Sequence, residues 1–253
     1  MWKRCLFVLC SALFVKCQVD LASENYFGKC LPHTIKFDGC IKDVINDLRP
    51  HYPTGLPDYG ILPLDPFHAA EVPQKRSGPF FNYKLILRNV TESGWTQSQI
   101  TRFRSDLNKN LVQYTQFFPD KRLKGSYEIS GEFFGQKVQN QGSWDLRLID
   151  YTQTTTATRK PIRDSRDVEV ENPPIKAKIQ IQTCKKLELH IGNLAGGRTI
   201  FENMLDWIIN TAWQPGFVML SPLINDLVST AFTEIFNKDF QHFPFEQVFK
   251  NNV

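Results

Sequence analysis

A catalyst or a metal protein must bring reactive side chains together, and this sequence offers few spacings that could do so. His68 and Glu71 have the HxxE spacing of a metal-binding pair, but they sit in a proline-rich stretch without a third ligand. HExxH, CxxC and GxSxG are all absent. The five histidines (His33, His51, His68, His190 and His242) are scattered, each better suited to a surface or capping role than to that of a base. Gly196-Gly197-Arg198-Thr199 could offer free N–H groups to an anion at a helix start. It lacks the lysine and spacing of a phosphate loop, so a plain strand-to-helix turn is expected. Non-catalytic chemistry follows, with no metal and no cofactor. A lipid-ester hydrolase would need a buried nucleophile–histidine pair.

The start of the chain bears on where such a protein works. Met1-Trp2-Lys3-Arg4 is basic, residues 5–15 are apolar, and Lys16-Cys17-Gln18 follows. That order describes a secretory signal peptide over residues 1–17, leaving 18–253 as the product. The apolar run is too short for a bilayer, which takes about 20 residues. No later stretch is long and uncharged enough to be an integral membrane segment. Loss of Lys3, Arg4 and Lys16 takes three from the 30 basic residues, against 26 acidic ones. A near-neutral chain lacks the footprint of a nucleic-acid binder. Cys30, Cys40 and Cys184 remain, and in an oxidising compartment Cys30 and Cys40 can close a short loop, leaving Cys184 odd, with a buried free thiol favoured over an intermolecular bridge. Asn89-Val90-Thr91 is the only sequon, and a glycan is expected there if Asn89 is exposed. The product is expected to be a secreted, extracellular monomer.

The elements that would position any site come next. Asp38 can cap a helix over residues 39–48, with Ile41, Val44, Ile45 and Leu48 as its apolar stripe and Pro50 as its stop. Residues 49–67 hold five prolines yet stay apolar, which predicts an extended segment pressed onto something greasy. From 80 to 191 period-two alternation dominates and predicts a long antiparallel sheet with one wet and one buried face. Tyr127, Ile129 and Phe133 share a face, as do Trp144, Leu146 and Leu148. Residues 97–114 fit helical spacing through Ile100, Phe103, Leu107, Leu111 and Tyr114, although 111–118 could equally be a strand. The last third is helical. Thr199 and Glu202 form a capping box for a helix to Trp213. Pro215-Gly216 should break or kink it, and Ser221 with Pro222 should start a second helix running to Phe236. Both helices are apolar most of the way round, so they require enclosure, and the sheet has one apolar face to give. Such an enclosure can be a solid core or an elongated apolar cavity for a small lipophilic guest.

Several stretches carry a resemblance that separates these two. Cys30 and Cys40, followed by Leu56-Pro57-Asp58-Tyr59-Gly60-Ile61 and Leu64-Asp65-Pro66-Phe67, resemble the opening of the takeout and haemolymph juvenile-hormone-binding proteins of insects. SQITRFRSDL at 98–107, KGSYEISG at 124–131, GSWDLRLID at 142–150 and the ending through Phe243-Pro244-Phe245 are similar too. The resemblance implies an α+β fold in which a long C-terminal helix is wrapped by a strongly curved antiparallel sheet around a lipid-binding tunnel. It implies a Cys30–Cys40 disulfide and a strand, not a helix, over 100–111. It also implies a carrier of juvenile hormone, a terpenoid or another lipid-like molecule, with some relatives acting in feeding, circadian or chemosensory settings. Two departures favour a takeout-like carrier over one for the hormone itself. Cys184 lacks the partner of a second disulfide, and the region of a hormone-reading tyrosine is the threonine-rich run 152–158. The residues expected to line the tunnel are Tyr127, Ile129, Phe133, Trp144, Leu146, Leu148, Phe201, Leu205, Ile208 and Phe217. The alternative is an extracellular interaction or membrane-surface protein with the same fold and no ligand cavity.

Overall fold

The computed structural model describes residues 26–79, 81–133, 135–159, 174–193, 203, 206, 207, 210, 211 and 213–239, with backbone only at 58, 133, 136, 213–223 and 239. Two long strands organise it. β4 (Leu111–Phe133) and β5 (Gln136–Arg159) pair antiparallel along their whole length. The 23 residues of β4 extend about 75 Å at roughly 3.3 Å each. β3 (Gln99–Asp106) lies along the first half of β4's other edge and β2 (Phe81–Ser93) along the second. β6 (Ile175–Thr183) and β7 (Lys186–Ile191) divide the far edge of β5 in the same way. β1 (Phe67–Gly78) adds to β2, so the order is β1-β2-β4-β5-β6. β1 lay beyond the stretch where alternation predicted strands. It carries Pro73, which an edge strand tolerates because one row of its N–H groups has no strand to bond.

The expected inward and outward alternation is present, but each long strand changes parity once. On β4 the buried positions are Gln116 and Phe118, then Lys121 and Tyr127. On β5 Leu148 is buried, then Tyr151, Gln153, Thr155 and Ala157. The change falls between the cross-strand pairs Phe118–Tyr151 and Asp120–Ile149, where Asp150 takes a left-handed φ of 47°. β1 and β2 switch together as well, beside Asn89 with φ 52° and a register shift between Arg88 and Thr91. Irregularities of this kind bend and twist a sheet. Outside the first bend Arg147 grips Asp120 through Nε and Nη2 at 3.0 and 2.9 Å, and Arg122 adds a bond at 3.1 Å. Those guanidinium bonds hold the Asp120 carboxyl down at about 2.

α2 (Trp213–Asp239) closes the curl. Asn225, Ser229, Thr233 and Asn237 accept the backbone N–H groups of Ile181, Ile179, Ala177 and Ile175 at 2.8–3.1 Å. Four helical residues rise about 6.0 Å and two strand residues about 6.6 Å, so each fourth helix position meets each second strand N–H. The helix thereby takes the place of a neighbouring strand along an open edge. Asn210 does the same for β7, accepting from Leu189 N and donating to Leu189 O. On the opposite side Asp226 accepts from Gln74 and Arg76 of β1. A sheet whose first and last strands both meet one helix is wrapped around it.

Three expectations need correction. The helix runs through Pro215, Gly216, Ser221 and Pro222 without the expected break or new cap. The bonds to β6 and β1 hold the segment beyond Pro222 helical. α1 spans Phe37–Asp47 with Lys36 at its N-cap, so Asp38 lies inside the first turn and instead accepts from Ser105 Oγ at 2.6 Å. Residues 99–106 form β3 paired to β4, the strand that the resemblance implied over 100–111 and not the helix of the spacing, with a short 3-10 turn at Leu107–Lys109 before β4. Helical backbone at 203, 206, 207, 210 and 211 agrees with the expected penultimate helix, but Trp207 is 67% exposed, so that helix is not enclosed all round. Thr199 and Glu202 lie outside the described residues, as do residues 1–17.

The proline-rich block forms a plug at one end. Leu56 and Ile61 pair around a turn closed by Gly60 (φ 67°), and Tyr52, Leu56, Tyr59 and Ile61 bury against Phe37, Ile41 and Val44 of α1 and Leu48 at its C-cap. The Cys30–Cys40 disulfide, with Cα atoms 5.5 Å apart, ties the N-terminal arm to α1 as expected, and Cys184 is a free, partly buried thiol. Asp65 accepts from Gly94 N (3.1 Å) and Thr96 N (2.7 Å), fixing the plug to the turn after β2.

Candidate ligand-binding interior

The concave face of the sheet, between the strands and the helices, is where an apolar guest would lie. In its lower half Gly125 faces Trp144 and Tyr127 faces Gly142 across the β4–β5 ladder. Each large ring therefore opposes a glycine. A Cβ on Gly125 would approach Arg88 O to 2.8 Å and the Trp144 indole nitrogen to 3.2 Å, so the missing side chain leaves the indole its space. Tyr127 is buried and donates its hydroxyl to Gly192 O at 3.1 Å. Trp144 Nε1 is buried with no hydrogen-bond partner among the described residues. Ile129 stands half-buried on the same face.

Further along, Leu148 is buried with Phe118, Tyr151 and Leu187, and Leu146 packs against them. Of the expected lining residues, Tyr127, Ile129, Trp144, Leu146 and Leu148 thus share the concave face. Leu146 and Leu148 sit in a packed cluster, whereas Tyr127 and Trp144 each oppose a glycine and Ile129 opposes Asn140. Phe133 ends β4 opposite Phe81, and Phe217 lies on α2, both with side chains outside the described residues. Phe201, Leu205 and Ile208 lie outside them altogether. Asn89 is exposed on β2, with the accessibility that a glycan acceptor needs.

The upper half contains what the alternation pattern missed. Lys121, 3% exposed, points inward and lies 2.7 Å from Glu92, 6% exposed, off the line of an ideal hydrogen bond. Its ammonium also lies 3.4 Å from Gln153 Oε1. Four rings surround it: Phe118 at 4.3 Å, Trp95 at 5.3 Å, Tyr151 at 5.4 Å and Phe232 of α2 at 5.7 Å. Such contacts are cation–π attractions strengthened by desolvation. Burial pushes the Tyr151 phenol well above its usual range, with the Glu92 charge adding to the effect. Burial likewise raises Tyr114 to about 12, against the opposing bond from Thr155. Lys121 was illegible in FFPDKRLKGS because its inward direction depends on the parity change just before it. The Asn225, Ser229, Thr233, Asn237 row could have been found: polar residues every fourth position in an apolar helix mark a bonded face.

This interior contains no group of three or more metal-ligating side chains among the described residues, and among them no helix is long and apolar enough to cross a membrane. The model of the family described as haemolymph juvenile hormone binding protein (JHBP) matches residues 5–250. The circadian clock-controlled protein daywake of Drosophila melanogaster is 17% identical over 247 residues, covering 94% of this chain and 93% of its own. Daywake of Drosophila yakuba is 18% identical over 253 residues, covering 97% and 96%. The crystal structure of Takeout 1 from Epiphyas postvittana superposes with a TM-score of 0.60 at 18% identity, covering 87% of this chain and 98% of that one. The same curled antiparallel sheet around a C-terminal helix recurs there. With nearly its whole length matched, this chain belongs to the haemolymph juvenile hormone binding protein family.

Proposed function

We propose that the protein is a secreted, non-catalytic carrier that holds one small hydrophobic molecule, a terpenoid or similar lipid, in an internal tunnel between sheet and helix. The observation that carries this reading is the closure of both end strands onto α2, which encloses a concave face bearing Ile129 and, each opposite a glycine, Tyr127 and Trp144. Removing apolar ligand surface from water gains roughly 25 cal/mol per Å², which supplies affinity without chemistry. Residues 1–17 act as the export signal, the Cys30–Cys40 disulfide suits an oxidising compartment, and Asn89 is the glycan acceptor. Loading with a terpenoid should change Trp144 fluorescence, and Leu205→Trp should block uptake. Normal uptake by that variant would discard the tunnel as placed.

The second reading, an extracellular interaction protein with a filled interior, draws on the packed cluster of Phe118, Leu148, Tyr151 and Leu187. It requires that no apolar molecule be taken up by the intact protein.

A further inference from the structure

The concave face holds more than grease, and this inference rests on the carrier reading above. Taking a lysine and a glutamate out of water is costly, and a pair of apolar residues at such positions commonly serves stability as well or better. Yet Glu92 and Lys121 stand side by side between sheet and α2, with Gln153 beside them and Phe232 of the helix over the ammonium. Two more polar groups nearby are incomplete. Trp95 packs on Phe118 with ring centroids 5.4 Å apart, and its buried Nε1–H has no acceptor among the described residues. Gln116 is 2% exposed, and its Oε1 has no donor among them. Ser98 joins the two residues, accepting from Gln116 Nε2 at 2.7 Å and donating to Trp95 O at 2.6 Å. An orphan donor and an orphan acceptor therefore flank an ion pair at the same sheet–helix boundary. Buried polar groups of this kind are normally satisfied, and an unpaired one calls for a missing partner.

We propose that Glu92, Lys121, Trp95 and Gln116 form a polar subsite that takes the uncharged head of an otherwise apolar guest, a hydroxyl in particular. A hydroxyl accepts and donates at once, which matches the unfilled Nε1–H of Trp95 and the unfilled Oε1 of Gln116. The charge is already balanced, because Glu92 neutralises Lys121. A carboxylate guest would bring a second negative charge beside Glu92 in a poorly solvated site, and the subsite discriminates against it.

Farnesane, farnesol and farnesoic acid test this as a set, because their chains are alike and their ends are apolar, neutral-polar and ionised at neutral pH. Glu92→Gln leaves Lys121 unbalanced and should move the acid-to-alcohol affinity ratio toward the acid by at least about tenfold. In Trp95→Phe/Gln116→Leu the donor and the acceptor that meet the hydroxyl are both gone. That protein should bind farnesane like the unaltered chain while the advantage of farnesol over farnesane falls by about tenfold. An acid-to-alcohol ratio within about twofold of the unaltered protein in Glu92→Gln would overturn the subsite, while farnesane uptake would leave the carrier standing. Should Glu92→Gln fail to fold, the double variant decides, and an unchanged farnesol-to-farnesane ratio overturns the proposal. If the unaltered protein takes up none of the three, the carrier reading falls and the subsite falls with it.

Discussion

Replacing Thr233 by valine keeps the shape of a side chain on α2 and removes only its hydroxyl. That hydroxyl accepts from Ala177 N at 3.0 Å and donates to Ala177 O at 3.2 Å, so both backbone groups on the open edge of β6 lose their partner. Ala177 is 8% exposed, leaving little water to replace it. An unsatisfied buried polar group costs about 1–3 kcal/mol, so the pair should lower stability by roughly 3 kcal/mol. Ser229→Ala strips one partner, that of the Ile179 N–H, and should cost roughly 2 kcal/mol. Among the described residues Thr230 bonds only to Asp226 O within its own helix, and Thr230→Ala should stay within about 0.5 kcal/mol of the unaltered protein. Urea unfolding measures all three, and amide exchange at Ala177 should speed up in Thr233→Val. If Thr233→Val matches the Thr230→Ala control, the helix does not stand in for a strand, and the closure argument fails.

Two further outcomes follow from the interior and the bend. Trp95 packs against all three apolar clusters, so Trp95→Ala should cost roughly 3–5 kcal/mol and expose Phe118 and Phe232; a thermal midpoint within about 2 °C of the unaltered protein would contradict this. Asp120 has a carboxyl depressed to about 2, chiefly by its bonds from Arg147 and then Arg122. A depressed carboxylate contributes stability above its unfolded pKa, about 3.9, and loses it as pH falls toward the folded value. Asp120→Asn should therefore be less stable than the unaltered chain at neutral pH, and the gap should close between pH about 4 and about 2. Asp120 is more than a third exposed, so solvent screening keeps the effect small, and a gap constant with pH would refute the ion-pair origin.

Much of this architecture was legible because alternation survives wherever one face is wet. Glu128 and Asp145 stay exposed while Tyr127 and Leu148 are buried, as period two requires. What alternation cannot show is a coordinated change of face in paired strands, since each half reads as a good strand alone. Lys121 and Glu92 lie just past such changes and look like ordinary surface charges in sequence. Local propensity misled at α2, where two prolines and a glycine suggested a break, yet the helix is continuous and its half beyond Pro222 is pinned by hydrogen bonds to β6. Helical spacing misled at β3, because an apolar residue every third or fourth position can also arise in an edge strand. The block at 49–67 was read correctly as apolar and packed down, because a solvated linker would not keep Leu56, Tyr59 and Ile61, but it is not extended: it coils into short 3-10 turns at Arg49–His51 and Pro57–Tyr59.

Mass spectrometry of an organic extract from the natively purified protein tests carriage most directly. One terpenoid- or lipid-like compound should emerge in near-equimolar amount, and the stripped protein should rebind it while Leu205→Trp does not. An extract without such a compound, together with a stripped protein that takes up none, would contradict the carrier.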